Sequence, residues 1–183
     1  KELGIGKGDV VMCILRRRWE YWVVAVALCK LGATIIPATL QLTKKDIAYR
    51  VQSADVKMLV CVNDDYVCSQ VEEALPACPT VDHKIVVAGA RGGWLGFDEL
   101  VESASEEWTR PVGAEGVTSR DIMLVYFTSG TTGMAKAVCH NFAHPLGHIL
   151  TAKYWQQVEE NTLHMSVTDS GWAKFGWGKI YGQ

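Results

Sequence analysis

The segment Ile122-Met123-Leu124-Val125-Tyr126-Phe127 (IMLVYF) is a continuous apolar run, and Thr128-Ser129-Gly130-Thr131-Thr132-Gly133-Met134-Ala135-Lys136 follows it directly. A short apolar run of this kind predicts a strand that is buried on both faces, as in a parallel sheet. The two glycines let the following backbone fold back closely, so that several amide N–H groups can point at one spot. Four hydroxyls and one lysine add further donors and a positive charge. This combination predicts a loop that binds a polyphosphate.

The loop differs from a Walker A motif, in which the lysine comes directly after the second glycine. Here Lys136 comes three residues after Gly133. A Ser/Thr/Gly-rich turn that binds nothing is the alternative interpretation of the same residues. The complete nine-residue string, placed directly after a buried strand, favours the phosphate loop.

Shorter apolar runs, with helical patterns between them, lie upstream of this strand. They predict strands at 10–15, 34–36, 57–62 and 84–88, and helices at 19–31, from 43 onward and at 67–75. Gly32 is the expected C-terminal cap of the first helix, and Thr43 with Asp46 forms a variant of the capping box. Strands that alternate with helices indicate an α/β fold in which helices flank mainly parallel sheets.

The same pattern divides the chain into a first α/β segment, at 1–110, and a phosphate-loop segment, at 120–183. Frequent glycines between 89 and 116 predict a surface loop around one short helix at 97–103. No internal repeat is visible. We expect both segments to be parts of one domain.

Composition excludes several classes of protein. The 183 residues carry 18 basic and 20 acidic side chains, which gives a net charge of −2 with no long run of either sign, so no nucleic-acid partner is expected. The longest apolar stretch, at 21–29, is far shorter than the roughly 20 residues that cross a bilayer, and no membrane span is expected. Six cysteines without a C-x-x-C pair indicate reduced thiols and a cytoplasmic location. Because the sequence begins with Lys1 in the middle of a pattern, we expect a fragment of a longer chain.

Three histidines recur every four residues, at His140, His144 and His148. This spacing suggests a metal site, because residues four apart share one face of a helix. However, Pro145 interrupts the helix that would align all three. Roles in starting a helix and in packing are therefore favoured, and no metal ligand is assigned.

Two other groups of residues have weak functional interpretations. Asp169-Ser170-Gly171 is superficially similar to the surroundings of a protease serine, but a nucleophile also needs a placed histidine and acid. Arg16-Arg17-Arg18 is the main basic cluster, and its position between a strand and a helix predicts a solvated turn.

The loop at 128–136 resembles the signature phosphate loop of the AMP-forming adenylating enzymes, which include acyl-CoA synthetases, peptide-synthetase adenylation domains and luciferases. Upstream, 8–11 and the stretch 19–37 resemble early core motifs of that family. The resemblance covers nearly the whole chain, is most specific from Tyr126 onward, and implies part of the large N-terminal domain. It is narrowed to the acetyl- and medium-chain acyl-CoA synthetase branch by Ala152-Lys153-Tyr154-Trp155, Leu163-His164, Thr168-Asp169-Ser170-Gly171-Trp172 and Trp177-Gly178-Lys179-Ile180-Tyr181-Gly182-Gln183.

The resemblance implies a two-step ligase for a small or medium-chain carboxylic acid. The carboxylate attacks the α-phosphate of ATP to give an acyl-adenylate and pyrophosphate, and coenzyme A then displaces AMP to form the thioester. ATP, Mg²⁺ and coenzyme A are thus the implied cofactor and co-substrates. Trp172 and Ala173 are implied to form part of the acyl-pocket wall. The residues implied to hold the β- and γ-phosphates are Thr128, Ser129, Gly130, Thr131, Thr132, Gly133 and Lys136.

Two features depart from the family pattern. The family usually has proline directly before the loop lysine, whereas Ala135 stands there, which leaves the loop end looser without removing a donor. The family also places its adenine and magnesium motif, its ribose-binding aspartate, its hinge and its adenylation lysine further toward the C-terminus. We therefore assign no catalytic residue in this fragment.

The 183-residue chain alone is expected to show no ligase turnover, because the adenylation lysine lies in the C-terminal part of the family. The measurement is an ATP-dependent assay of CoA-thioester formation on the isolated chain. Turnover by this chain would contradict the expectation.

Two alternative functions remain open at the level of the sequence. In the first, an adenylating enzyme passes its acyl group to an acceptor other than coenzyme A. In the second, the loop belongs to a non-catalytic module that only binds ATP. The identity of the acid cannot be read from these residues, since a pocket distinguishes neighbouring chain lengths by only about 1–3 kcal/mol per methylene. The oligomeric state is equally unreadable.

Overall fold

The computed structural model describes residues 1–129 and 133–182. Within these residues, the strands are β1 (Val10–Ile14), β2 (Thr34–Pro37), β3 (Val56–Val62), β4 (His83–Val87), β5 (Leu95–Gly96), β6 (Ile122–Thr128) and β7 (Lys136–Asn141). The α-helices are α1 (Glu20–Leu31), α2 (Lys44–Ala54), α3 (Asp65–Ala74), α4 (Phe97–Ser103), α5 (His144–Leu150) and α6 (Ala173–Phe175). Short 3₁₀ turns form at Leu75–Ala77 and Gly113–Glu115, and π-helical turns at Thr151–Trp155 and Gly176–Ile180 follow α5 and α6.

In the described part of the chain the seven strands form one sheet in the order β5-β4-β3-β1-β2-β6-β7. The strands from β1 to β6 pair in parallel, and β7 pairs antiparallel with β6 at one edge. The expected α/β fold with a mainly parallel sheet is confirmed. Because parallel strands end on the same side, the carboxyl ends of β1, β2 and β6 lie next to one another along one edge of the sheet.

Local signals fix the ends of the first two long helices. Gly32 adopts φ 73°, in the left-handed region, and its amide donates to carbonyls in the last turn of α1. Thr43 and Asp46 form a complete capping box at the start of α2, with each side chain accepting from the other residue's backbone amide. Both caps agree with the sequence prediction, and they determine where the chain turns between sheet and helix.

The sheet separates two apolar cores because successive side chains of a strand point to opposite faces. On one face, Val11 and Cys13 of β1 belong to a buried cluster that includes side chains from α1, α4 and α6. On the other face, Met12 and Ile14 belong to a second cluster, against α2 and α3. Helices on both faces explain why β1 has a continuous apolar sequence rather than an alternating one.

Two strands were not predicted from the sequence. β5 has only two residues, too few to give a periodic signal. β7 is mostly exposed along its length, so that its sequence lacks the apolar run that marks a buried strand. The boundaries of the predicted elements differ from the observed ones by at most two residues, and the strand that begins at 122 extends one residue further than predicted, to Thr128.

Among the described residues, no helix combines the length and the apolar character needed to cross a bilayer.

Candidate functional site

The two ends of the predicted phosphate loop are held together by the β6–β7 hairpin. Thr128 and Lys136 are paired residues of the antiparallel ladder, and the hydroxyl of Thr128 donates to the carbonyl of Lys136 at 3.5 Å. The first hydroxyl of the loop and its lysine, eight positions apart in sequence, are therefore neighbours. The loop between them begins at the carboxyl end of β6, on the edge of the sheet where ligands bind in open α/β folds.

The described loop residues are open to solvent. Thr128, Ser129, Gly133 and Lys136 are all exposed, and no carboxylate in the described part of the chain forms an ion pair with Lys136. The lysine therefore carries a charge that is available to an anion.

Gly133 adopts φ 90°, a conformation that side chains other than glycine rarely take, and a Cβ added there would contact nothing within 4 Å. Gly133 therefore adopts the positive φ that the sequence analysis expected of a loop glycine, and there is open space beside its Cα. The remaining predicted phosphate-binding residues, Gly130, Thr131 and Thr132, lie outside the described residues.

A second segment, 169–172, docks on the same edge of the sheet. Ser170 is fully buried, and its hydroxyl donates to the carbonyl of Arg16, two residues after β1, at 2.5 Å. The backbone of Gly171 lies against the chain just after β2, so closely that a Cβ there would overlap the carbonyl of Ala38. The carboxylate of Asp169 accepts from the amide of Gly171 at 3.0 Å and closes the turn.

This docking explains the Asp-Ser-Gly sequence without a nucleophile. Ser170 is inaccessible and its proton is committed to a backbone carbonyl, which is incompatible with the protease interpretation. Sequence reasoning missed the structural role of Ser170 and Gly171. The hydrogen bond joins residues 154 positions apart in sequence. In the sequence, only the glycine before Trp172 pointed to a close backbone contact at this position.

The predicted acyl-pocket residues follow the docked segment directly. Trp172 is 60% exposed, and Ala173 begins α6 and is also exposed. Phe175, at the other end of α6, is buried with its ring edge-on to Tyr21 at 5.1 Å. One side of α6 is therefore anchored in the core while Trp172 and Ala173 remain open, and their role in binding an acyl group stays a prediction.

Tyr126 links α6 to the strand that leads into the phosphate loop. Its hydroxyl oxygen lies against the backbone of Gly176, so closely that a Cβ added at Gly176 would overlap it. Burial raises the pKa of Tyr126, so the phenol stays protonated at physiological pH. This contact fixes the segment that carries Trp172 relative to β6.

A cavity in the described part of the chain lies elsewhere. It has a volume of about 620 Å³ and is lined mainly by α1, by the loop around Trp108 and by Tyr181. Of the predicted phosphate-loop and acyl-pocket residues that the structure describes, none lines this cavity.

The basic cluster divides into exposed and paired residues. Arg16 and Arg17 are exposed, as expected for a solvated turn. Arg18 instead forms an ion pair with the buried carboxylate of Glu20 at 2.6 Å, at the start of α1. Arg18 thus neutralises the buried carboxylate of Glu20, and its guanidinium is not available to a ligand.

The three histidines form a stack between β7 and α5. The ring of His140, on β7, lies 4.1 Å from that of His144, and the ring of His148 lies 4.6 Å further along. Pro145 occupies the first turn of α5, where proline is tolerated, so that His140 is not part of the helix. Among the side chains that the structure describes, no group of three or more His, Cys, Asp or Glu could hold a metal ion.

Burial in this stack, together with the proximity of His140 and His148, lowers the pKa of His144 to about 4. In the unfolded chain a histidine takes up its proton near pH 6.5. Between these two values the unfolded state binds more protons, so stability falls as the pH drops from about 6.5 to about 4. We expect histidine-selective NMR to show His144 still neutral at pH 5, and His144→Gln to weaken the loss of stability at acidic pH. A His144 resonance that titrates near pH 6.5 would contradict this prediction.

Comparisons with known proteins give the following matches. The model of a family described as "AMP-binding enzyme" matches residues 1–177. Acyl-coenzyme A synthetase ACSM5, mitochondrial, from Homo sapiens is 36% identical over 176 residues, which are 95% of this chain and 29% of that protein. Acyl-coenzyme A synthetase ACSM4, mitochondrial, from Rattus norvegicus is 36% identical over 183 residues, or 99% of this chain and 30% of that protein. The chain thus spans about 30% of the length of these curated relatives.

Two solved structures share the fold. Acetoacetyl-CoA synthetase from Streptomyces lividans superposes with a TM-score of 0.81 over 98% of this chain and 29% of its own, at 21% identity. The anthranilate CoA ligase AuaEII in complex with anthranoyl-AMP gives a TM-score of 0.75 over 84% of this chain and 29% of its own, also at 21% identity. At this level of identity the two structures support the fold class alone.

The relatives correct one expectation. The absence of disulfide patterns in the sequence led to the prediction of a cytoplasmic location, but both curated relatives are described as mitochondrial. The cytoplasmic prediction is wrong, because reduced thiols are compatible with more than one compartment and do not identify the cytoplasm.

Proposed function

This chain belongs to the AMP-binding enzyme family, and from that premise we propose that the whole protein is an ATP-dependent acid–thiol ligase. It converts a small or medium-chain carboxylic acid to its acyl-CoA through an acyl-adenylate, and releases pyrophosphate and AMP. Residues 1–183 form part of its N-terminal AMP-binding domain, in which 1–110 and 120–183 are two segments of one sheet. The pairing of β2 with β6, one strand from each segment, supports this arrangement.

The observation that carries the proposal is the hairpin that brings Lys136 next to Thr128 at the carboxyl edge of the sheet. Pyrophosphate leaves with additional negative charge, and a fixed cation with oriented N–H and O–H donors stabilises that charge. In this proposal the β- and γ-phosphates are held by Thr128, Ser129, Gly130, Thr131, Thr132, Gly133 and Lys136.

The acyl group of the substrate lies against Trp172 and Ala173. Two contacts support this assignment. Ser170 ties the segment to the end of β1, and Tyr126 ties α6 to β6. The segment is therefore fixed on the same edge of the sheet as the phosphate loop, while the indole of Trp172 stays available to an apolar ligand.

Mg²⁺ accompanies ATP in this proposal and neutralises part of the charge on its phosphates. Mg²⁺ prefers oxygen ligands and usually binds through substrate phosphates and few protein groups. The exposed hydroxyls of Thr128 and Ser129 are oxygen ligands of that kind. Among the described residues there is no group of three or more metal-binding side chains. We accordingly assign Mg²⁺ to the bound nucleotide and coenzyme A to the second step as a co-substrate.

The test is exchange of labelled pyrophosphate into ATP by the whole protein, with Mg²⁺, across a panel of short and medium-chain acids. We expect exchange above the acid-free background for the accepted acids, followed by thioester and AMP when coenzyme A is added. ATP binding without exchange for any acid would contradict the proposal in favour of a non-catalytic ATP-binding module. Exchange without thioester formation would contradict it in favour of a different acyl acceptor.

A further inference from the structure

A tyrosine far away in the sequence holds the end of the phosphate loop. The hydroxyl of Tyr49, on α2, donates to the carbonyl of Ala135 at 2.9 Å, across 86 positions of sequence. That carbonyl belongs to the peptide group that joins Ala135 to Lys136. The hydrogen bond therefore fixes the peptide plane from which the lysine side chain begins.

The same part of α2 also contacts the residue before the loop. The ring of Tyr49 lies edge-on to Phe127, with centroids 6.3 Å apart, and the guanidinium of Arg50 lies over the Phe127 ring at 5.1 Å. Phe127 is the residue directly before Thr128. Tyr49 thus contacts the chain at Phe127, directly before the loop, and at Ala135, near its end, while Arg50 adds a second contact to Phe127.

The helix that carries these contacts is itself well fixed. The capping box closes its N-terminus, and Ile47 and Val51 are buried against the sheet. Tyr49 consequently projects from a rigid support, and its hydrogen bond restricts the loop more than a contact from another loop would.

We propose that Tyr49 is a positioning residue for the triphosphate loop, an assignment that rests on the proposed function. By holding the carbonyl of Ala135, its hydroxyl orients Lys136 toward the phosphates before ATP binds. Alanine leaves φ at this position free, whereas proline would fix it near −65°. In this proposal, the hydrogen bond from Tyr49 restricts the backbone at Ala135, as a proline ring would do at the same position.

The first test is Tyr49→Phe in the whole protein, which removes the hydroxyl and keeps the ring against Phe127. We expect the KM for ATP in pyrophosphate exchange to rise about 3- to 10-fold, the effect of losing one such hydrogen bond. The KM for the acid should stay unchanged. Tyr66→Phe is the matched control, since Tyr66 lies on α3 with its side chain about half exposed.

The second test is rescue by Ala135→Pro in the Tyr49→Phe background. Ala135 precedes the first paired residue of β7, so a proline there removes no hydrogen bond of the ladder. If Tyr49 acts by ordering this position, the proline lowers the KM for ATP again, and Tyr49→Phe has a smaller effect when the proline is present. A residue with a merely structural role would give no such rescue.

Amide hydrogen exchange in the whole protein provides a readout that needs no activity. Tyr49→Phe should speed exchange in peptides that cover 128–136 and leave peptides of α2 unchanged. Unaltered exchange together with an unaltered KM for ATP would overturn the proposal. A wild-type protein without acid-dependent pyrophosphate exchange would instead contradict the proposed function, and hydrogen exchange would still decide the role of Tyr49.

Discussion

Replacing Lys136 by alanine in the whole protein is expected to lower kcat/KM for ATP about 100-fold or more, the cost of losing one preorganised group that stabilises transition-state charge. The lysine is exposed, forms no ion pair with any described residue and lies beside Thr128 at the opening of the loop. In the proposed function, its loss would leave the departing pyrophosphate without a fixed cation. The measurement is acid-dependent pyrophosphate exchange at varied ATP.

Lys45→Ala is the matched control for this variant. Lys45 is an exposed lysine on α2, so its replacement changes the net charge equally without touching the loop. We expect its kinetics to match those of the wild type. If Lys136→Ala and Lys45→Ala behave alike, the lysine has no part in the mechanism.

Replacing Gly171 by alanine is expected to displace the 169–172 segment from the sheet. The added Cβ would overlap the backbone of Ala38 and Thr39, which cannot move aside as a flexible side chain would. Overpacking of this kind typically costs about 1–3 kcal/mol. Because Trp172 is the next residue, we also expect the KM for the acid to rise more than the KM for ATP. Urea unfolding and pyrophosphate exchange of the whole protein measure the two effects.

Gly147→Ala is the corresponding control, since a Cβ at Gly147 would contact nothing within 4 Å and the residue lies inside α5. Alanine in a helix is more stable than glycine by about 0.5–1 kcal/mol, so this variant should keep or slightly gain stability. Equal stability for the two variants would show that Gly171 is not needed for docking.

The first half of the fold follows from local sequence patterns. Gly32 ends α1 and Thr43 begins α2 because their caps depend only on residues within the same turn. The buried strands are equally visible, since a strand covered on both faces must be apolar throughout. β7 depends instead on pairing with β6, and its exposed residues carry no such pattern.

The residues of the candidate site could be predicted from the sequence, but the long-range contacts that hold them in place could not. The loop with Thr128 and Lys136 is evident in the sequence because glycines, hydroxyls and a lysine follow one buried strand. The contacts that hold the site come from far away, from Tyr49 to Ala135 and from Ser170 to Arg16. Spacing along the chain gives no information about such pairs, because they meet only after the sheet has formed.

The most direct measurement of the central claim is a crystal structure of the whole protein with Mg²⁺ and a non-hydrolysable ATP analogue. The account predicts that the β- and γ-phosphate oxygens accept hydrogen bonds from the loop that begins at Thr128, with Nζ of Lys136 within ion-pair distance. A triphosphate bound elsewhere, with the amides of this loop bonded to neighbouring chain, would contradict it.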